Sequence, residues 1–415
     1  MQVPPHVRCP QKYRNGHARS ERHENAVTSR LLENYRRACQ RRSRAKKYWL
    51  SRYNVTFGLP RYAFYHPARW LCAILVGLGF PEIAFAHVKW FANYDLLSPP
   101  RPALSVLSNH YFVLFCLFVV PLIFAVTVLD RYLTRRNCFL HRHASTLTDR
   151  LSDHFPTILR LGVSGFFASV FAYGCLHDWM ILTPELHTRT TWVCWIQLGI
   201  AIAALLRRTA VFAGAGIVLL YGYAVISYGL FHMLDYPIFL GVAACLMIDS
   251  LHGREKGELA NAVMRISAAV TLLWASIEKF AFPEWSFMLM ATQPGMTLGF
   301  NPEFFMVAAG FVEFCAAFLL VTGMLSARAA AMVLLLFFLS AIVPFGVIDA
   351  IGHSVIVVVL ILLTLSNNRV GHRLDTRFGL PATATLHAAL FFSTLLLFIG
   401  LYYGGYYLSY QFAAS

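Results

Sequence analysis

Leu230–Ser250, LFHMLDYPIFLGVAACLMIDS, and Gly346–Ser366, GVIDAIGHSVIVVVLILLTLS, decide the fold. Each is a polar break followed at once by a short apolar run. Laid side by side, they put His232 opposite Asp349 and Tyr236 opposite His353. The likeness extends outward. Arg160 opens the first helix of one copy and Arg265 that of the other. Trp179 answers Trp285 after a one-residue adjustment, and the Arg207-Arg208 turn answers Arg328. Residues 160–249 and 265–366 thus read as two copies of one four-helix unit. Four spans is an even number, so both copies face the same way, as parallel repeats about an axis along the membrane normal. Short or interrupted segments at matching places in two repeats point to a membrane binding site. Asp235 ahead of Pro237 also fits an ordinary helix cap, which leaves His232 and His353 unexplained.

The composition, 58% hydrophobic and 13% charged, excludes an ordinary soluble domain and fits a polytopic membrane protein. Residues 1–65 carry fifteen Lys and Arg against three Glu, so +12 of the formal +15 belongs to this arm. The basic balance therefore gives no support to nucleic-acid binding. Segment 29–51 could lie as a basic amphipathic helix on an anionic leaflet. Alternatively, the arm (1–69) is a start-site extension and the protein begins nearer Val55. The nine cysteines show no C-x-x-C spacing, so neither a disulfide framework nor a thiolate cluster is expected. Gly214-Ala215-Gly216 reads as a close-packing surface within an apolar span.

Trp70–Phe80 is a short apolar run behind Arg61 and Arg69, broken by Pro81 and followed by Ala84-Phe85-Ala86. That is the layout of a signal peptide at 70–86, with cleavage after Ala86 leaving His87 first. The competing reading is an uncleaved transmembrane helix. After an exported segment, 87–109, and a first span with a basic loop, 110–156, come the two units at 157–250 and 263–366. A last span follows at 384–408. The expected fold is an all-α membrane protein of about ten mature transmembrane helices. Arg131, Arg135, Arg136, Arg142, Arg150, Arg207, Arg208, Arg254, Lys256, Arg328, Arg369, Arg373 and Arg377 fall in alternate loops, while 282–303 has no Lys or Arg. This places the basic loops in the cytoplasm and both mature termini in the periplasm, as in a bacterial inner-membrane protein.

Polar groups inside spans need a reason. Glu278 and Lys279 are neighbours that do not face each other on a helix, so Lys279 is expected to pair with Glu313 across helices. Asp235, Asp349 and His353 join these three as candidates for ligand binding or proton transfer. His87, with a free α-amine and its imidazole, would form a bidentate nitrogen chelate. With His177 or His232 it would suit Cu(II), resembling the N-terminal histidine brace of exported copper proteins.

The second copy resembles a DoxX-type membrane unit. Arg265 opens its first helix and Lys279 precedes Pro283. Gly310-x-x-Glu313-x-x-x-Ala317-x-x-Leu320-x-x-Gly323 follows, with Arg328 after it. The resemblance implies four-helix bundles, some of them membrane subunits of quinone-linked oxidoreductases, and supplies no catalytic residue set. The doubling and the His87 segment depart from that family. The leading expectation is a redox-linked or copper-associated membrane subunit, not an enzyme on its own. Its partners would be the bilayer and a membrane or periplasmic redox protein. The alternatives are a small-solute or metal transporter and a quinone-linked oxidoreductase subunit.

Overall fold

A computed structural model describes residues 90–91, 98–136, 138–292, 294–297, 299–368, 370 and 379–411. The basic arm, the 70–86 signal region and His87 lie outside the described residues. The rest is almost wholly helical. In order come α1 (His110–Arg135), α2 (Phe139–Leu151), α3 (Phe155–Gly174), α4 (Trp192–Leu205), α5 (Ala210–Tyr228) and α6 (Pro237–His252). Then follow α7 (Gly257–Ala281), α8 (Glu284–Thr292), α9 (Pro302–Thr322), α10 (Leu325–Leu365) and α11 (Leu380–Tyr406). Strands β1 (Trp179–Met180) and β2 (His187–Thr188) form one antiparallel hairpin between α3 and α4.

Among the described residues, seven helices are long and apolar enough to cross a membrane. Many of their outward side chains are apolar, among them Leu117, Phe118, Phe212, Ile226, Val343 and Leu397. Apolar exteriors on several long helices fit a polytopic membrane protein, because lipid makes that exposure favourable. Helices α4 and α6 are also apolar but have only 14 and 16 residues. At about 1.5 Å per residue they reach roughly 21 and 24 Å.

The packing follows chain order. Helix α3 packs on α4, α4 on α5, α5 on α6, α6 on α7, α7 on α9 and α9 on α10, while α10 returns against α3. Helices α1 and α11 pack on each other and against α9. Small residues permit the close approaches. A Cβ on Gly241 would stand 1.8 Å from Ser267 Oγ, one on Gly214 2.8 Å from the Ala243 carbonyl oxygen, and one on Gly216 2.7 Å from Ile200. The Gly214–Gly216 segment is therefore a two-sided contact, with α6 on one face and α4 on the other.

Three details differ from the sequence reading. The basic loop after the first span contains a 13-residue helix, α2. Its Thr148 hydroxyl donates to the Leu365 carbonyl at 2.5 Å and accepts from Arg328 at 2.8 Å, docking it on the end of α10. The segment after α7 forms another helix, α8, instead of an open loop. The third concerns the last two spans of the 263–366 unit. They are continuous in α10, broken only at Gly346 with φ 73° and ψ −147°. That backbone region is open essentially to glycine, so the chain turns there without a loop and helix resumes at once. Asp349 and His353 consequently sit one turn apart on a helix.

A Cβ on Gly346 would meet nothing within 4 Å, so only backbone strain opposes a side chain there. Gly346→Ala is expected to lower stability by about 1–3 kcal/mol. Thermal unfolding of the purified protein checks this, and an unchanged midpoint would mean the break is not required.

At the end bearing the basic segments, the turn from α9 to α10 is densely hydrogen-bonded. Arg265 donates to the Leu320 carbonyl at 2.8 Å and Arg131 to that of Thr322 at 3.1 Å. Asn368 donates to the carbonyls of Val321 and Gly323 at 2.8 and 2.5 Å. Cations thus meet the carbonyl end of α9, while the Asp130 carboxylate accepts from the first N–H groups of α10. Both follow the helix dipole.

Candidate functional site

The site lies at the opposite end of these alternating helices and begins with the hairpin. Residues 180–186, Met-Ile-Leu-Thr-Pro-Glu-Leu, are all buried, with Ile181, Leu182 and Leu186 at 0% exposure. An apolar tip of this kind cannot rest in solvent, so it folds into the bundle. Its backbone polar groups are met there. The Ile181 N–H donates to Leu186 O at 2.8 Å. Gln197 Nε2 on α4 donates to the carbonyls of Met180 and Ile181 at 2.5 and 3.1 Å. The Tyr228 hydroxyl donates to His187 O at 2.7 Å.

The tip brings Glu185 to the turn between α5 and α6. Helix α5 stops at Gly229, whose φ of 86° no ordinary side chain favours. The short helix Leu230–Met233 and Asp235 follow, held by the Tyr221 hydroxyl donating to Met233 O at 2.7 Å. Glu185 Oε1 lies 3.1 Å from His232 Nε2 and also accepts the Tyr236 hydroxyl. One ligand-type atom from each of Glu185, His232 and Asp235 falls within 4.8 Å of the others. All three residues are buried, at 8%, 1% and 2% exposure. Thr271 on α7 serves the first turn of α6, its hydroxyl accepting the Ile238 N–H at 2.9 Å.

A second titratable pair adjoins. On α10, His353 Nδ1 is 3.0 Å from Asp349 Oδ2, and both side chains are essentially sealed from solvent. The imidazole lies between Trp90 and Phe338, at centroid distances of 4.5 and 4.8 Å. Trp90 is also the link to the first cluster. Its side chain interacts with that of Tyr236. A Cβ on Gly352 would fall 2.3 Å from the Trp90 ring and 3.0 Å from Pro184, which precedes Glu185. The hairpin tip, the 229–236 turn and the second half of α10 therefore meet around one indole.

The other expected residues lie elsewhere. His177 is exposed, stacked on Tyr173 at 4.1 Å with Nδ1 3.2 Å from that residue's own carbonyl, and it is not part of the cluster. Lys279 Nζ and Glu313 Oε2 form the expected cross-helix pair at 2.5 Å. Glu278 is half-buried and acts electrostatically on Tyr402 of α11. His87 lies outside the described residues. Nearer the chain's described start, Arg101 bonds Glu284 and, at 2.7 Å, Glu303. Burial works to lower the pKa of Arg101, but its hydrogen bonds to Glu303 and Glu284 and their negative charge outweigh it and hold the group above its ordinary value.

Glu185, Tyr236 and Trp90 were not singled out as site residues by sequence. The signal for Glu185 was the apolar character of 180–186, wrong for an exposed loop. Chemically, two carboxylates and one imidazole at this spacing carry at least one net negative charge when ionised. Burial makes such charge costly, so a cation is favoured there. Comparison with protein-family models, curated proteins and solved structures returns no match.

Proposed function

We propose that this chain is a cation-handling membrane transporter. It would have ten spans, two parallel four-helix units at 157–250 and 263–366, and its site where the ends of the two units meet. The observation that carries the reading is that the Glu185–His232–Asp235 cluster and the Asp349–His353 pair both adjoin Trp90, the first through Tyr236 and Pro184 and the second through His353. Ionisable groups buried in a membrane protein mark ion and proton routes by default, because their desolvation is costly.

Support for the two units comes from matching landmarks. Gly229 and Gly346 both have positive φ. Each stands three residues before a site residue, His232 or Asp349, and seven before another, Tyr236 or His353. Each stands twenty before the residue met by the unit's opening arginine. Arg160 pairs with Asp249, and Arg265 donates to Ser366 Oγ at 2.8 Å. The DoxX-type resemblance of the second unit agrees with a four-helix module. On this reading the protein is an inner-membrane one with both mature termini outside.

The copper-associated redox reading has less support. It calls for nitrogen-rich donors, and the clustered atoms are two carboxylates and one imidazole, with His177 apart. The quinone-linked reading rests on the family resemblance alone.

The test is cation flux into proteoliposomes loaded with pH- and metal-sensitive dyes. Wild type is expected to exceed protein-free vesicles, and Asp349→Asn and His353→Ala to reduce that flux at least tenfold. Wild-type flux equal to that of empty vesicles would overturn the proposal.

A further inference from the structure

We propose that Glu185, His232 and Asp235 form the binding site of one divalent metal ion of the zinc, iron(II) or manganese class. This deepens the transport reading by naming the ligand, and it is tested separately from flux.

The geometry comes first. Zinc binds imidazole nitrogen and carboxylate oxygen at about 2.0–2.2 Å. Two such ligands at the tetrahedral angle stand about 3.4 Å apart. His232 Nε2 and Glu185 Oε1 are 3.1 Å apart, and the Asp235 oxygen lies within the same 4.8 Å group. Closing the triangle on an ion requires the Asp235 oxygen to come no farther than about 3.4 Å from the other two.

The donor set comes second. One imidazole and two carboxylates combine borderline and hard ligands, which suits zinc, iron(II) and manganese better than copper, for which nitrogen-rich sites are preferred. Two ionised carboxylates would bring a divalent ion close to neutrality in an apolar surround. Ligation at His232 Nε2 requires neutral imidazole with that nitrogen free of hydrogen, so metal uptake releases whatever protons the three groups hold.

The supporting shell comes third. The Tyr236 hydroxyl donates to the Glu185 oxygen that faces His232, as second-shell donors orient metal-bound carboxylates. The ligands are also held by separate devices. Gln197 fixes the hairpin that carries Glu185, and Tyr221 fixes the turn that carries His232 and Asp235. A buried hairpin whose tip delivers one carboxylate to an imidazole is a costly arrangement for packing alone.

The experiment uses the full chain purified in detergent, stripped with chelator, then equilibrated with zinc chloride and, separately, manganese chloride. Bound metal is read by plasma mass spectrometry. About one ion per chain is expected. His232→Ala should lose it, Asp235→Asn and Glu185→Gln should weaken it at least tenfold, and His177→Ala should leave it unchanged. Because His232→Ala could fail to fold, cobalt(II) absorption of the isosteric Asp235→Asn and Glu185→Gln proteins gives a second readout. Their ligand-field bands should differ from those of wild type. No bound metal in wild type, or equal affinity and equal spectra in the three site variants, would overturn the inference. Flux without metal binding would remove this site and leave the transport reading standing. Metal binding without flux would do the reverse.

Discussion

Asp130→Ala is expected to destabilise the protein by about 3–5 kcal/mol. The side chain is 4% exposed and accepts from Met324 N, Leu325 N and Ser326 N at 2.8, 2.8 and 3.2 Å, and from Ser326 Oγ at 2.7 Å. The three N–H groups are those of the α10 N-cap, Met324, and of Leu325 and Ser326 in its first turn, none of which has an intrahelical partner. Hydrogen bonds to a charged acceptor contribute about 1.5–3 kcal/mol each, and their loss is less than additive. The carboxylate also faces the positive end of the α10 dipole. Asp130→Asn keeps one acceptor oxygen and should lose about half as much. Reversible unfolding in bicelles measures both, and an alanine variant within about 0.5 kcal/mol of wild type would refute the ranking.

The second large effect belongs to the Lys279–Glu313 pair. Its side chains are 18% and 13% exposed, so each charge is mostly withdrawn from solvent. Removing one partner leaves the other buried and uncompensated, which costs about 3–5 kcal/mol when burial is complete. With the remaining exposure, Glu313→Gln is expected to cost about 2–4 kcal/mol. A paired replacement by apolar residues of similar length, Lys279→Met with Glu313→Leu, should recover stability to within about 1 kcal/mol of wild type. Unfolding of Lys279→Met, Glu313→Leu and the double variant closes the cycle. A double variant as unstable as the sum of the singles would show that the charges act through other partners. If the pair is structural, the double variant also keeps cation flux.

Some of this was legible in the sequence, for identifiable reasons. The Lys279–Glu313 pair could be foreseen because a lone cation and a lone acid on apolar helices have few ways to be neutralised. The breaks near His232 and Asp349 were visible because polar residues in apolar runs are sparse. Glu185 was hidden, since its position depends on a hairpin whose tip is buried by tertiary packing and whose strands are only two residues each. Helix α2 was hidden for a related reason. Its polar sequence resembles a loop, and contacts with Leu365 and Arg328 place it. His177 was misleading because a histidine at a helix end has the same sequence appearance whether it points at a site or stacks on its own Tyr173.

The 14 and 16 residues of α4 and α6 have a consequence for the surrounding lipid. A bilayer's hydrocarbon core is about 30 Å thick, so helices of roughly 21 and 24 Å fall short of it by several ångströms. The shortfall is made on the side of the molecule where Trp195, Ile202 and Leu205 of α4 face outward. Lipid there must thin to meet the protein, at a cost of fractions of a kcal/mol per ångström. The hairpin held by Gln197 of α4 stands directly behind that thinned zone. If the chain spans a bilayer as proposed, mismatch at α4 is the route by which acyl-chain length would reach the hairpin that carries Glu185.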